Sequence, residues 1–333
     1  GDDGPAAALS DPAFDALDKA TGGQLARAVS LGGRERGESV ALAAPSGLEA
    51  DALIAICAGE APLGASDART LGAKMAKTLA AAPTGAKKGV AAVVRLDCLT
   101  ADGACGAGVS AAELAAELAL GLRLRSYKFT EHKTDTPEDR LSQIALSGAA
   151  PADAVEAAAA PMMALAEGVE ITRDLVNEPA NVLTPETFAE RIAALSADGL
   201  SVEVLGEAQM EELGMGSLLG VGRGSRKESK IAIMRWMGAA DASAAPVCFV
   251  GKGVTFDTGG ISLKPAAGME DMTMDMGGAA VVTGVMKTLA LRKAPVNAVG
   301  LVGLVENMPD GDAQRPGDVV RAMSGKTIEV INT

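Results

Sequence analysis

Residues 251–280, GKGVTFDTGGISLKPAAGMEDMTMDMGGAA, set two lysines (Lys252, Lys264) and the aspartates Asp257 and Asp275 among seven glycines. Glycine lets a backbone turn sharply and come close to a ligand. Carboxylates bind hard cations, and oxygen ligands with one nitrogen suit Mn, Mg or Zn. Lysine joins such a site only as the neutral amine, a form that adjacent metal charge favours. Two carboxylates brought together repel, and a cation between them relieves that cost. Asp275 also precedes GGAA, a small-residue helix start whose dipole favours an ionised carboxylate.

Other readings of the same residues stay open on spacing alone. The aspartates could cap turns and the lysines could be solvated. Met269, Met272, Met274 and Met276 are spaced closely enough for Cu(I), although methionine more often fills core gaps. A phosphate loop is a weak reading, because GKG followed by FDTGG is not the Walker pattern and Gly253 follows Lys252. Histidine catalysis has one residue to draw on, His132, in the polar stretch 130–140, where a surface role is the plainer reading.

The elements that must position these groups follow from apolar runs. Val247–Val250 reads as a strand leading into a Gly251-Lys252-Gly253 loop, and ligands of open α/β sheets gather at such strand ends. Gly277–Leu291 reads as a helix, and Val296–Val305 and Thr327–Ile331 as strands, the last a central one. Thr184-Pro185 opens a helix to about Ala197, a hydroxyl cap followed by proline in the first turn. Ser201–Leu205 and Lys230–Met237 are further strands, and Glu207–Leu213 a short helix. Upstream, Ser39–Ala44, Ala52–Cys57, Val90–Leu96 and Gln143–Leu146 are short apolar runs, and Ala111–Leu122 has helical spacing. Residues 1–37 are polar and show little periodicity. The alternation predicts an α/β fold in two parts. These are a smaller N-terminal α/β domain at 1–151, a connecting helix at Ala152–Asn177, and a catalytic α/β domain at 178–333. The second domain is expected to hold a mixed, mostly parallel sheet covered by helices.

Composition narrows the function classes. Hydrophobic residues at 48% are enough for packed cores, which sets the chain apart from disordered ones. A net charge of −13 and 2% aromatics argue against nucleic acid, which needs a basic footprint and stacking platforms. Cys57, Cys98, Cys105 and Cys248 form no CxxC; reduced thiols are expected, with a Cys98–Cys105 pairing the lesser reading. No apolar run approaches a membrane span and no secretory signal is read, so a cytoplasmic protein is expected.

Longer blocks carry a resemblance. GKGVTFDTGGISLKP, MTMDMGGAA, VGLVGLVENMP with RPGDVVRAMSGKTIEVINT, and RDLVNEPANVLTP at Arg173–Pro185 resemble the leucyl (cytosol) aminopeptidase family of two-metal exopeptidases. The likeness is strong from Arg173 to Thr333 and loose upstream, apart from SYKF at Ser126–Phe129. It implies an enzyme releasing N-terminal residues, leucine or other apolar ones first, from peptide substrates. It implies two divalent ions, Mn or Zn with Mg as a further choice, and a cytoplasmic homohexamer. By the resemblance, Lys252 and Asp275 hold one ion and Asp257 bridges both. Lys264 polarises the scissile carbonyl, and Met272 lines the pocket for the first side chain. The family continues after the position of Thr333 into Asp-x-Glu-Gly-Arg, which supplies two more ligands and an arginine for bicarbonate. The expectation is therefore a chain truncated before that motif, with three of five ligands and inactive alone. A reading of another class is the DNA-binding, architectural role known for some members, against which the charge counts.

Overall fold

The computed structural model describes residues 12–32, 35–59, 62–85, 89–100, 103–135 and 141–333. They fall into two units, 1–166 and 167–333. The polar stretch 1–37 carries two helices, α1 (Pro12–Ala20) and α2 (Gln24–Leu31); residues 1–11 and 33–34 of it, and 136–140 at the end of the stretch 130–140, lie outside the described residues. Next come β1 (Ser39–Ala43) and β2 (Ala52–Ile56), an antiparallel pair with Ser39 opposite Ile56. Then follow α3 (Ala65–Ala80), β3 (Val90–Arg95), α4 (Ala111–Ser126) and β4 (Leu141–Ser147). β3 and β4 pair in parallel with α4 as the crossover between them. The spacing of Ala68, Leu71 and Met75 gives α3 an apolar stripe, which packs against Leu114, Leu118 and Leu122 of α4. Ser110 and Glu113 form a reciprocal cap that starts α4, with Ser110 N–H donating to Glu113 Oε2 at 2.8 Å. The Cys105 thiol donates to Leu99 O at 3.4 Å and takes part in no disulfide.

Helix α5 runs Ala152–Asn177 with Pro161 inside it, and stops two residues before Pro179. The division between the two units falls within this helix. Among the described residues no helix is long and apolar enough to cross a membrane.

In residues 167–333 the Thr187 N–H donates to Thr184 Oγ1 at 3.3 Å, which starts α6 (Pro185–Ala193) at the expected cap. A 3-10 turn then carries the chain to Asp198. The remaining elements are β5 (Ser201–Leu205), α7 (Glu207–Glu212), α8 (Gly216–Gly222), β6 (Lys230–Met237), β7 (Val247–Asp257), α9 (Gly277–Leu291), β8 (Asn297–Asn307), β9 (Val319–Arg321) and β10 (Thr327–Glu329). Four strands form one sheet in the order β5-β6-β8-β7. It is mixed, as expected, but not mostly parallel: β5–β6 and β6–β8 are antiparallel, and β7–β8 alone is parallel. The apolar runs misled because β6 and β8 are largely buried along their length, and such burial does not require parallel strands.

One face holds the core. Ala232 and Met234 of β6 and Ala298, Val302 and Leu304 of β8 pack on Phe188 and Ile192 of α6 and on Val282 and Met286 of α9. Full burial of each large side chain contributes about 1.5–3 kcal/mol. On the opposite face Gly303 lies under Leu218 of α8, and a Cβ there would come within 2.8 Å of its Cδ1.

Two strand readings change. β7 does not stop at Val250 but continues through the glycines to Asp257. β10 is not a central strand: among the described residues it pairs with β9 alone, in a two-stranded antiparallel ribbon. The turn between them closes through Gly325 N–H to Ala322 O at 2.8 Å, so a local hairpin satisfies the alternating pattern.

Candidate active site

Strand β7 carries two of the four groups, Lys252 and Asp257. They are five residues apart, so a regular strand would turn them to opposite faces. A bulge between Val254 and Asp257 prevents this. Lys252 pairs with Gly303 and Asp257 with Asn307, positions four apart on β8, so both side chains leave the same face. Gly251, just before Lys252, lets α9 approach: a Cβ there would lie 2.6 Å from Gly278 O. The glycines that suggested a loop are therefore strand residues under a helix start.

After Asp257 the chain reverses through Gly259, whose φ of +88° disfavours any side chain. Thr258 N–H and Oγ1 both donate to Asn307 O, at 3.0 and 2.8 Å. Lys264 N–H donates to Thr258 O at 2.9 Å and closes the loop. Thr333 staples it from outside: its Oγ1 donates to Gly259 O at 2.7 Å and accepts from Ser262 N–H at 2.9 Å. Lys264 is thereby aimed back at the strand end. Its Nζ donates to Asp257 Oδ2 at 2.5 Å and to Asp257 O at 3.2 Å, and lies 3.3 Å from Met272 Sδ.

Met272 belongs to a 3-10 turn, Met269–Met274, that leads into Asp275. Lys252 Nζ lies 2.7 Å from each Asp275 oxygen and donates to Oδ1. One short turn thus touches both pairs, Lys264 through Met272 and Lys252 through Asp275. Asp275 does not cap α9, whose N-cap is Met276 without a side-chain bond. The expected repulsion between Asp257 and Asp275 is also not the local state, since each carboxylate has a lysine of its own. Met276 is fully buried in the core and Met274 is exposed, so the methionines do not share a copper-type site.

Asp257 Oδ1 accepts from Gly259 N–H at 2.9 Å and from Asn307 Nδ2 at 2.8 Å. Burial pushes the Asp257 carboxyl up; hydrogen bonds from Lys264, Gly259 N–H and Asn307, with the Lys264 charge, outweigh it and hold the group below the ordinary carboxylate range. The carboxylate is therefore anionic at neutral pH. Asn307 was not singled out from sequence. Its signal was an amide closing the apolar run VGLVGLVEN just before Met308-Pro309.

These residues fit a divalent cation as part of its shell. Asp275 Oδ2 is buried and has no hydrogen-bond partner, although an ammonium lies close to it. Two anionic oxygens and a lysine nitrogen are the donor set that Mn, Zn or Mg accepts. Among the described residues no three His, Cys, Asp or Glu side chains converge, so this cluster holds only part of such a shell.

Two family models match the chain. One describes the catalytic domain of the cytosol aminopeptidase family and covers residues 170–333; the other describes the N-terminal domain of that family and covers residues 5–136. A probable cytosol aminopeptidase of Caulobacter vibrioides is 52% identical over 332 residues, 98% of this chain and 64% of that protein. The chain thus spans about two-thirds or less of the curated relatives it matches, 64% in that case. Among solved structures, the bottromycin maturation enzyme BotP in complex with Mn matches at 35% identity and a TM-score of 0.74, over 90% of this chain and 60% of that one. A mutant of tomato leucine aminopeptidase matches at 28% identity and a TM-score of 0.78, over 97% of this chain and 61% of that one.

Proposed function

This chain belongs to the cytosol aminopeptidase family, and on that premise we propose that it carries out metal-dependent release of N-terminal residues, leucine or other apolar ones first, from peptides. The observation that carries the reading is the pairing of two lysines with two carboxylates around one turn at the end of β7. That cluster lies within the residues matched by the family's catalytic domain.

Lys252 and Asp275 would hold one ion, with Asp257 shared between two. Divalent ions, when bound, acidify a water and draw off the charge that develops on the scissile carbonyl. The residues divide the remaining work. Asp257 stays ionised at neutral pH because its donors outweigh its burial. Lys264 is held by its loop within reach of the site, where its ammonium stabilises a carbonyl oxygen as it gains charge. Met272 borders Lys264 and offers an apolar wall to the first side chain. The ions are Mn or Zn, with Mg as a further choice; the Mn named with BotP supports the first. A bicarbonate, a homohexamer and a cytoplasmic setting complete the proposal. The relatives' name, cytosol aminopeptidase, supports the setting.

The test is hydrolysis of Leu-p-nitroanilide by the full-length protein. Turnover is expected with Mn²⁺ or Zn²⁺ and is lost on exhaustive chelation. Full turnover after chelation rejects the metal assignment.

A further inference from the structure

Asn307 ends β8 with 8% of its surface exposed, so it is a buried amide that must find partners. Its backbone and side chain do separate jobs. The carbonyl accepts from Thr258 N–H and Oγ1 and fixes the turn. The side-chain Nδ2 donates to Asp257 Oδ1. A carboxylate offers about four acceptor positions, two on each oxygen. On Asp257 the two of Oδ1 are taken by Gly259 N–H and Asn307 Nδ2, and one of Oδ2 is taken by Lys264.

We infer that Asn307 is a positioning residue which, with the Gly259 N–H, saturates Asp257 Oδ1 and orients the carboxylate so that Oδ2 keeps acceptor capacity for a cation. The inference rests on the metal-dependent reading above. Asp257 would then offer a cation chiefly the oxygen that Asn307 and Gly259 leave open, the one that Lys264 contacts. Asn307 also fixes the rotation of the carboxylate, because its strand end is paired with Asp257 itself across β8 and β7. Groups that orient a metal ligand without touching the metal usually change affinity by roughly 10- to 100-fold when removed.

The experiment uses the full-length protein with Mn²⁺ as the probe. Asn307→Leu keeps the volume and removes the donor, Asn307→Ala removes both, and Asn307→Gln restores an amide on a longer arm. All three keep the backbone carbonyl that holds Thr258. Calorimetric Mn²⁺ titration, thermal unfolding without metal, and kcat and KM on Leu-p-nitroanilide are measured for each. Asn307→Leu and Asn307→Ala are expected to bind Mn²⁺ about 10- to 100-fold more weakly. They are expected to unfold cooperatively, with the loss in kcat rather than KM and with part of it recovered in Asn307→Gln. Thr258→Val, which loosens the same turn without touching Asp257, is expected to lower the thermal midpoint and leave Mn²⁺ affinity within about threefold. Wild-type affinity in Asn307→Leu, or equal loss in Thr258→Val, overturns the positioning role. If neither Asn307→Leu nor Asn307→Ala folds, Asn307 is a folding residue and the inference fails. A wild-type protein that binds no Mn²⁺ fails the metal reading itself, and the inference with it.

Discussion

Lys264 and Asp257 touch at 2.5 Å yet have different tasks, and substitution should separate them. Lys264→Ala removes an ammonium aimed at developing charge and leaves both carboxylates in place. Loss of one such preorganised group typically costs about 2.7–4 kcal/mol, or roughly 10²–10³ in kcat. Bound Mn²⁺, measured on the dialysed protein, should stay near the wild-type level. Asp257→Ala should lose metal and turnover together. A Lys264→Ala enzyme within tenfold of wild type speaks against the role. At this scale the sequence was informative about types and silent about geometry. Lys252, Lys264, Asp257 and Asp275 among glycines pointed to cation chemistry. That each aspartate already has a lysine was not readable, because the contacts join residues 23 apart in one pair and 7 apart in the other. Asn307 was missed for a like reason: its partner is 50 residues away.

The elements that carry these groups depend on two local devices, each open to test. The first is Gly251, inside a strand yet under α9. Gly251→Ala puts a Cβ 2.6 Å from Gly278 O, a backbone atom that cannot swing aside. Overpacking of this kind costs typically 1–3 kcal/mol, so the denaturant midpoint should fall while the slope stays the same. An unchanged midpoint means that α9 sits further out than described. The second is the start of α6. Burial pushes the Glu186 carboxyl up, but hydrogen bonds from Thr184 Oγ1 at 2.7 Å and Glu228 N–H at 3.0 Å, with the Lys227 charge, leave it lowered from 4.5. A carboxyl lowered on folding contributes stability that is present above its unfolded value and lost as pH falls through the folded one. Wild type should therefore lose more stability than Glu186→Gln as pH drops below about 4.5. Parallel pH–stability curves contradict that bond set. The cap at Thr184-Pro185 and the end of α5 were legible because caps and prolines act within a few residues. The bulge in β7 and the antiparallel setting of β6 were not, because register and direction are settled by neighbouring strands. Glycine has the same letter in a loop and under a closely packed helix, which is why β7 was cut short at Val250.

At the scale of residues 1–333 the balance shifts from ligands to edges. Two carboxylates brought together without a cation would repel and weaken the fold. Lysine pairing removes that term, so unit 167–333 should unfold cooperatively without metal. Its weak point is elsewhere. β7 closes the sheet order on one side, eleven residues long, with Val250 76% exposed and Val247 50% exposed. A long edge strand with outward valines is a template for pairing with another chain. A polypeptide of residues 1–333 is therefore expected to fold but to self-associate. Val250→Lys places a charge on the exposed side of that strand, away from the core packed on α6 and α9, and is the substitution that edge protection calls for. Sedimentation velocity over a concentration series should show wild-type 1–333 growing with concentration and Val250→Lys remaining monomeric, with the two thermal midpoints within a few degrees. If both variants sediment alike as monomers, the β7 edge is not a pairing surface. If both associate equally, the sticky surface is another, such as the apolar residues Met323, Ile328 and Ile331 around the β9–β10 ribbon.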